Sequence, residues 1–275
     1  MELLLAYDGS PSAREALMNL GRCALPPGAA VAVLAVDDVG PETGGEPSGP
    51  VTLIASRSRP AGAGSLAMAA AAQVAELLPD LRVIALDAEG DPAATIAETV
   101  LRRRSGLVVL GAGATTGMLG STTHEVLRET SVAVRIVRVA PDLPSRAPAH
   151  VVVGIDGSED SLRLIHAVAS RAWPVGSRIW LVTARDDDGR ANHREDVRII
   201  ACHTLWADML RSGYIEVASV MEDGPTVAII DQVARTVDAE LILLAAAHRP
   251  STATIAHTSI AEAIASVSPC PVEIW

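Results

Sequence analysis

Two short stretches carry the residue types from which a polar ligand site is built. Asp8-Gly9-Ser10 follows an apolar run, and the glycine-rich stretch GAGATTGMLGST begins at Gly111. The second stretch sets Gly111, Gly113, Gly117 and Gly120 ahead of Ser121, Thr122 and Thr123. Such a turn lets backbone N–H groups approach phosphate oxygens, and a helix beginning at Ser121 adds the positive end of its dipole and hydroxyl donors. Glycines of this kind also end strands and make tight turns, so the pattern alone leaves a purely structural role open. The dinucleotide fingerprint is absent: GAGATTG is not G-x-G-x-x-G, it follows the fourth apolar run instead of the first, and no acidic residue ends a strand at the required distance.

Composition removes several chemistries. The chain has no lysine, which excludes a Walker-type loop, a Schiff base and a lysine general base. With 33 acidic against 22 basic residues, all arginine, the net charge is −11. In that setting the run Arg102-Arg103-Arg104 reads as the cationic end of a helix, and no nucleic-acid partner is expected. Cys23, Cys202 and Cys270 lack C-x-x-C spacing and read as small core residues in a reducing compartment. His248 and His257 have no carboxylate or cysteine at ligand spacing, and Asp186-Asp187-Asp188 reads as a solvated loop, so no metal site is expected. His166 and His203 read as satisfied imidazoles on helices. No G-x-S-x-G elbow supports a serine triad.

The elements that must position these residues occur twice. LLLAYDGSPSAREAL near the start matches VVVGIDGSEDSLRLI, with Asp8 on Asp156 and no gap. In the first copy, apolar runs predict strands at 2–7, 29–36, 81–87, 106–112 and 132–139. Helical spacing predicts helices after Ser10, near 66–78, over 92–104 and over 121–130. The Gly/Pro/Ser-rich stretch from Gly40 to Gly64 reads as a long loop. The second copy repeats the order, with strands at 150–155, 178–184, 214–220, 240–246 and 270–274 and helices at 158–173, 193–212, 225–236 and 258–266. Strict alternation predicts α/β architecture: two repeated open α/β sandwiches, each a five-stranded parallel sheet with helices on both faces. The expected domains are 1–140 and 150–275, joined by a proline-containing linker over 141–149. No apolar run reaches membrane-spanning length, and Met1-Glu2 lacks a basic leader region, so a cytoplasmic protein without membrane contact is expected.

The order of YDGSPSAREAL, GDPAATIAETV, LVVLGAGATTGMLGSTTHEVL and SVAVRIVRV, followed by a degenerate second copy, resembles a tandem universal stress protein over nearly the whole chain. The resemblance implies a stress-response regulator, not an enzyme, that binds ATP with Mg²⁺ in its first half. It places Asp8 near the ribose or Mg²⁺, Val36 against the adenine, and Gly111, Gly113, Gly120, Ser121, Thr122 and Thr123 around the phosphates. It also implies that the halves form an internal pseudo-dimer, with a homodimer of whole chains as a further assembly. Two departures stand out: Ala114 occupies the second glycine position, and five residues instead of nine separate it from Gly120. The second half has Ala245, His248 and His257 at the glycine positions, which predicts that it does not take a nucleotide. The alternative is a nucleotide-free interaction protein of the same fold.

Overall fold

Runs such as Leu3-Leu4-Leu5 and Leu107-Val108-Val109 have no exposed surface, as befits strands covered on both faces. The computed structural model describes residues 1–22, 24–25, 28–38, 62–113, 117–138, 148–185, 193–211, 214–245 and 260–275. The chain divides into two compact units, one within residues 1–140 and one within 141–275, residues 24–26 aside.

In the first unit, β1 (Glu2–Ala6), β2 (Ala30–Asp37), β3 (Arg82–Glu89), β4 (Leu107–Gly111) and β5 (Ala133–Val137) alternate with α1 (Pro11–Asn19), α2 (Ala63–Leu77), α3 (Pro92–Arg103) and α4 (Ser121–Glu129). The strands lie in the order β3-β2-β1-β4-β5, and each pair is parallel. Strand order therefore reverses between β1 and β4, which places the crevice for a ligand beyond their carboxyl ends. Helices α1 and α2 pack together, as do α3 and α4.

Local chemistry starts these helices. The Ser10 hydroxyl accepts from the Ala13 amide at 3.2 Å ahead of Pro11, and Asp91 accepts from Ala94 at 2.9 Å ahead of Pro92. Each cap satisfies an amide that the helix leaves without a partner. Helix α3 ends as its arginine run suggested: Arg102 pairs with Glu98, Arg103 forks onto both oxygens of Glu2 at 2.7 Å, and Arg104 closes the helix in the left-handed region at φ 54°.

The second unit repeats the plan with β6 (His150–Gly154), β7 (Ser177–Arg185), β8 (Ile215–Asp223), β9 (Leu241–Leu244) and β10 (Val272–Ile274), and with α5 (Glu159–Ala169), α6 (His193–Leu210), α7 (Thr226–Thr236) and α8 (Ile260–Val267). Its order, β8-β7-β6-β9-β10, matches that of the first unit. Val151, Val153, Ile179 and Leu181 from the sheet, Leu164, Ile165 and Val168 from α5, and Trp206 and Leu210 from α6 form one core. Burying side chains of this size contributes about 1.5–3 kcal/mol each. Helix α5 stops at Ala169, short of 173. The Trp173 indole turns back to donate to the Val168 carbonyl at 2.8 Å, and Pro174 follows.

Candidate functional site at the carboxyl ends of β1 and β4

The turn after β1 is held by its own side chains. The Asp8 carboxylate accepts from the Ser10 amide at 2.9 Å, and Gly9 occupies the left-handed region at φ 77°. The Tyr7 amide donates to the Leu34 carbonyl at 2.9 Å, which ties this turn to the end of β2, where Val36 is half-buried. One residue on, both Asp37 oxygens accept from the Ala63 amide at 3.1 and 3.2 Å, so Asp37 caps α2 from a distance.

Helix α1 crosses the end of β4 closely. A Cβ on Gly111 would stand 2.6 Å from Ser12 backbone, so this glycine is required by packing. Ser12 in turn shares a hydrogen bond with Ser10 at 3.2 Å. The Asp8 turn and the glycine loop thus converge on α1. Gly113, at φ 93°, lies against Gly120, whose amide donates to the Ala112 carbonyl at 2.9 Å. The Thr123 hydroxyl is buried and donates to the Gly111 carbonyl at 2.9 Å, so it ties α4 to the end of β4. Ser121 is exposed at the first position of α4, Thr122 is half-buried, and the N-cap residue, Gly120, has no side chain with which to cap the helix. Gly117, at φ 82°, has open space around it. Sequence reading did not single out Arg138, just beyond β5, whose guanidinium donates to the Met118 carbonyl at 2.8 Å. Ala114 lies outside the described residues.

The corresponding turn of the second unit is more heavily tied. Asp156 accepts from the Ser158 amide at 2.9 Å and from the Ser161 hydroxyl at 2.7 Å, while Arg198 donates to the Gly157 carbonyl at 3.0 Å. Burial would raise the Asp156 carboxyl, but these bonds to the charged form outweigh it and hold it below the usual range. Beneath the turn, the first unit's Ala35, Ala63 and Ala67 give way to a polar contact. The Thr183 hydroxyl donates to the Ile155 carbonyl at 2.6 Å, so it accepts from His203 Nε2 at 2.9 Å. Burial pushes the His203 imidazole below its usual 6.5, and its Nδ1 has no hydrogen-bond partner among the described residues. His248, His257 and the Asp186–Asp188 triplet lie outside the described residues, and among the rest no group of three His, Cys, Asp or Glu could hold a metal ion. Buried Cys270 has its thiol pushed up to about 12 by burial, so it is protonated and inert at neutral pH. No helix among the described residues is long and apolar enough to cross a membrane.

Two units, each a parallel sheet of strand order 3-2-1-4-5 with an Asp-Gly-Ser turn after its first strand, define a tandem open α/β protein. The universal stress protein family matches residues 1–138 and again 149–274, and the chain belongs to that family. Among solved structures, a universal stress protein from Archaeoglobus fulgidus DSM 4304 is similar over 99% of this chain and 95% of its own, at 18% identity and a TM-score of 0.67. A functionally unknown protein from Pseudomonas aeruginosa PAO1 is similar over 99% and 91%, at 15% identity and a TM-score of 0.63. At these identities the likeness shows the fold. No curated protein matches in sequence. Family membership supports a role in stress response.

Proposed function

We propose that the chain is a cytoplasmic stress-response regulator that binds one adenine nucleotide, as ATP with Mg²⁺, in its first unit. The observation that carries this reading is Gly120. Gly111 and Gly113 are explained by packing or by positive φ, whereas Gly120 has φ −64° and the nearest atom to an added Cβ is 3.4 Å away. Neither backbone strain nor crowding requires glycine there. Glycine also suits the N-cap position it holds, and without a side chain it leaves the start of α4 open to an anion, with the Ser121 hydroxyl beside it. Asp8 stands across the strand-order reversal, suited to a sugar hydroxyl or to Mg²⁺ shared with the phosphates. Val36, half-buried at the end of β2, offers an apolar edge for a base.

The absence of lysine, which removes a Walker-type loop and a lysine general base, favours binding over turnover. Titration calorimetry with ATP and magnesium tests the reading. Saturable binding that Gly120→Val weakens by at least about tenfold supports it, and the absence of binding at millimolar ATP would leave a nucleotide-free interaction protein.

A further inference from the structure

The glycine loop is held through its carbonyls. Gly111 gives its carbonyl to the Thr123 hydroxyl, Ala112 to the Gly120 amide, and Met118 to the Arg138 guanidinium at 2.8 Å. Of these three donors Arg138 alone is charged, and a charged donor makes a bond about twice as strong as a neutral one. Its position gives the bond a direction. Arg138 follows β5, which lies beside β4 on the side away from β1, whereas the crevice opens between β1 and β4. A trans peptide is planar and points its C=O and N–H in opposite directions. The Met118 carbonyl faces Arg138, so the Leu119 amide of the same peptide faces away from β5, towards the crevice.

We propose, resting on the nucleotide reading of this site, that Arg138 is a positioning residue: its hold on the Met118 carbonyl turns the Leu119 amide towards the crevice, where it donates to a phosphate oxygen. The same peptide turned over would aim the negative end of its dipole at the phosphates. Little else opposes that turn. Gly117, at φ 82° with open space around it, precedes Met118, and the Met118 side chain is 64% exposed, so packing does not fix the peptide. Arg138 thus serves the phosphates through a backbone dipole, in a chain that has no lysine to offer them. Asp8 and Val36, the residues suited to sugar and base, stand at the ends of β1 and β2 and do not depend on this peptide.

Titration calorimetry of the full chain with ATP and magnesium, and separately with adenosine, tests this, with circular dichroism to confirm folding of each variant. Arg138→Met, which keeps an extended side chain but cannot donate, should weaken ATP binding about tenfold or more and change adenosine binding by less than about twofold. Arg138→Lys, which can still donate to the carbonyl, should recover most of the ATP affinity. In amide NMR spectra the Leu119 proton should move downfield when ATP is added to wild type and stay in place in Arg138→Met. A merely structural role would weaken both ligands alike. Wild type that binds ATP beside an Arg138→Met variant that binds it as tightly, or that loses adenosine in the same proportion, would overturn the proposal and leave the nucleotide reading standing. So would an Arg138→Lys variant no tighter than Arg138→Met, or a Leu119 amide that ignores ATP. Wild type that binds no ATP would overturn both.

Discussion

Gly113 and Gly120 lie back to back, so close that a Cβ on Gly113 would stand 2.9 Å from the Gly120 amide nitrogen. The two glycines do different work. Gly113 permits the contact and the left-handed turn, whereas Gly120 sits in extended backbone that any residue adopts. Gly120→Val is therefore expected to stay folded, at a cost of about 1 kcal/mol for the poorer N-cap, and to weaken ATP binding by at least about tenfold, since its side chain occupies the space at the start of α4. Calorimetric titration of the folded variant checks this, and an unchanged affinity would place the site elsewhere.

Gly111→Ala should behave in the opposite way. The added methyl would meet Ser12 backbone at 2.6 Å, so α1 must shift from β4. Overpacking of this kind costs about 1–3 kcal/mol. The expected outcome is earlier denaturant unfolding of the first unit, followed by amide hydrogen exchange in β1 and β4. Protection equal to wild type would show that α1 yields freely.

His203 makes the second unit sensitive to acid. The unfolded chain takes up a proton near pH 6.5, while burial keeps folded His203 neutral to lower pH, so the unfolded state binds more protons in between. Stability contributed by neutral His203 is complete above pH 6.5 and is lost as pH falls towards its folded pKa. All four tryptophans, Trp173, Trp180, Trp206 and Trp275, belong to the second unit, so their fluorescence reports its unfolding selectively. Between pH 7.5 and 5.5 the urea midpoint should fall more for wild type than for His203→Gln, whose amide can still donate to Thr183. Equal losses would contradict the assignment.

Much of this architecture was legible because it is local. Ser10-Pro11 and Asp91-Pro92 announce helix starts, apolar runs announce buried strands, and the arginine run ending α3 reads as a helix end. The contacts that shape the site are not local. Asp37 caps α2 across 26 residues of sequence, and the intervening glycine- and proline-rich stretch gives no periodic signal to link them. Thr183 and His203 look like unrelated polar residues until β7 and α6 bring them together beneath the Asp156 turn. Arg138 reads as a strand terminus, and only the fold sets it beside the Met118 carbonyl. Glycines that serve packing, such as Gly111, are indistinguishable in sequence from one that leaves room for a ligand, such as Gly120.

The measurement that bears most directly on the central claim is nucleotide stoichiometry. The first unit keeps Gly113, Gly120 and Ser121 at the start of α4, whereas the second half has no glycine from Leu244 to the end of the chain. Saturating the full chain with ATP and magnesium, removing free ligand and counting adenine per chain should give one, and none after Gly120→Val. Two per chain, or none in the wild-type protein at any ATP concentration, would contradict the account.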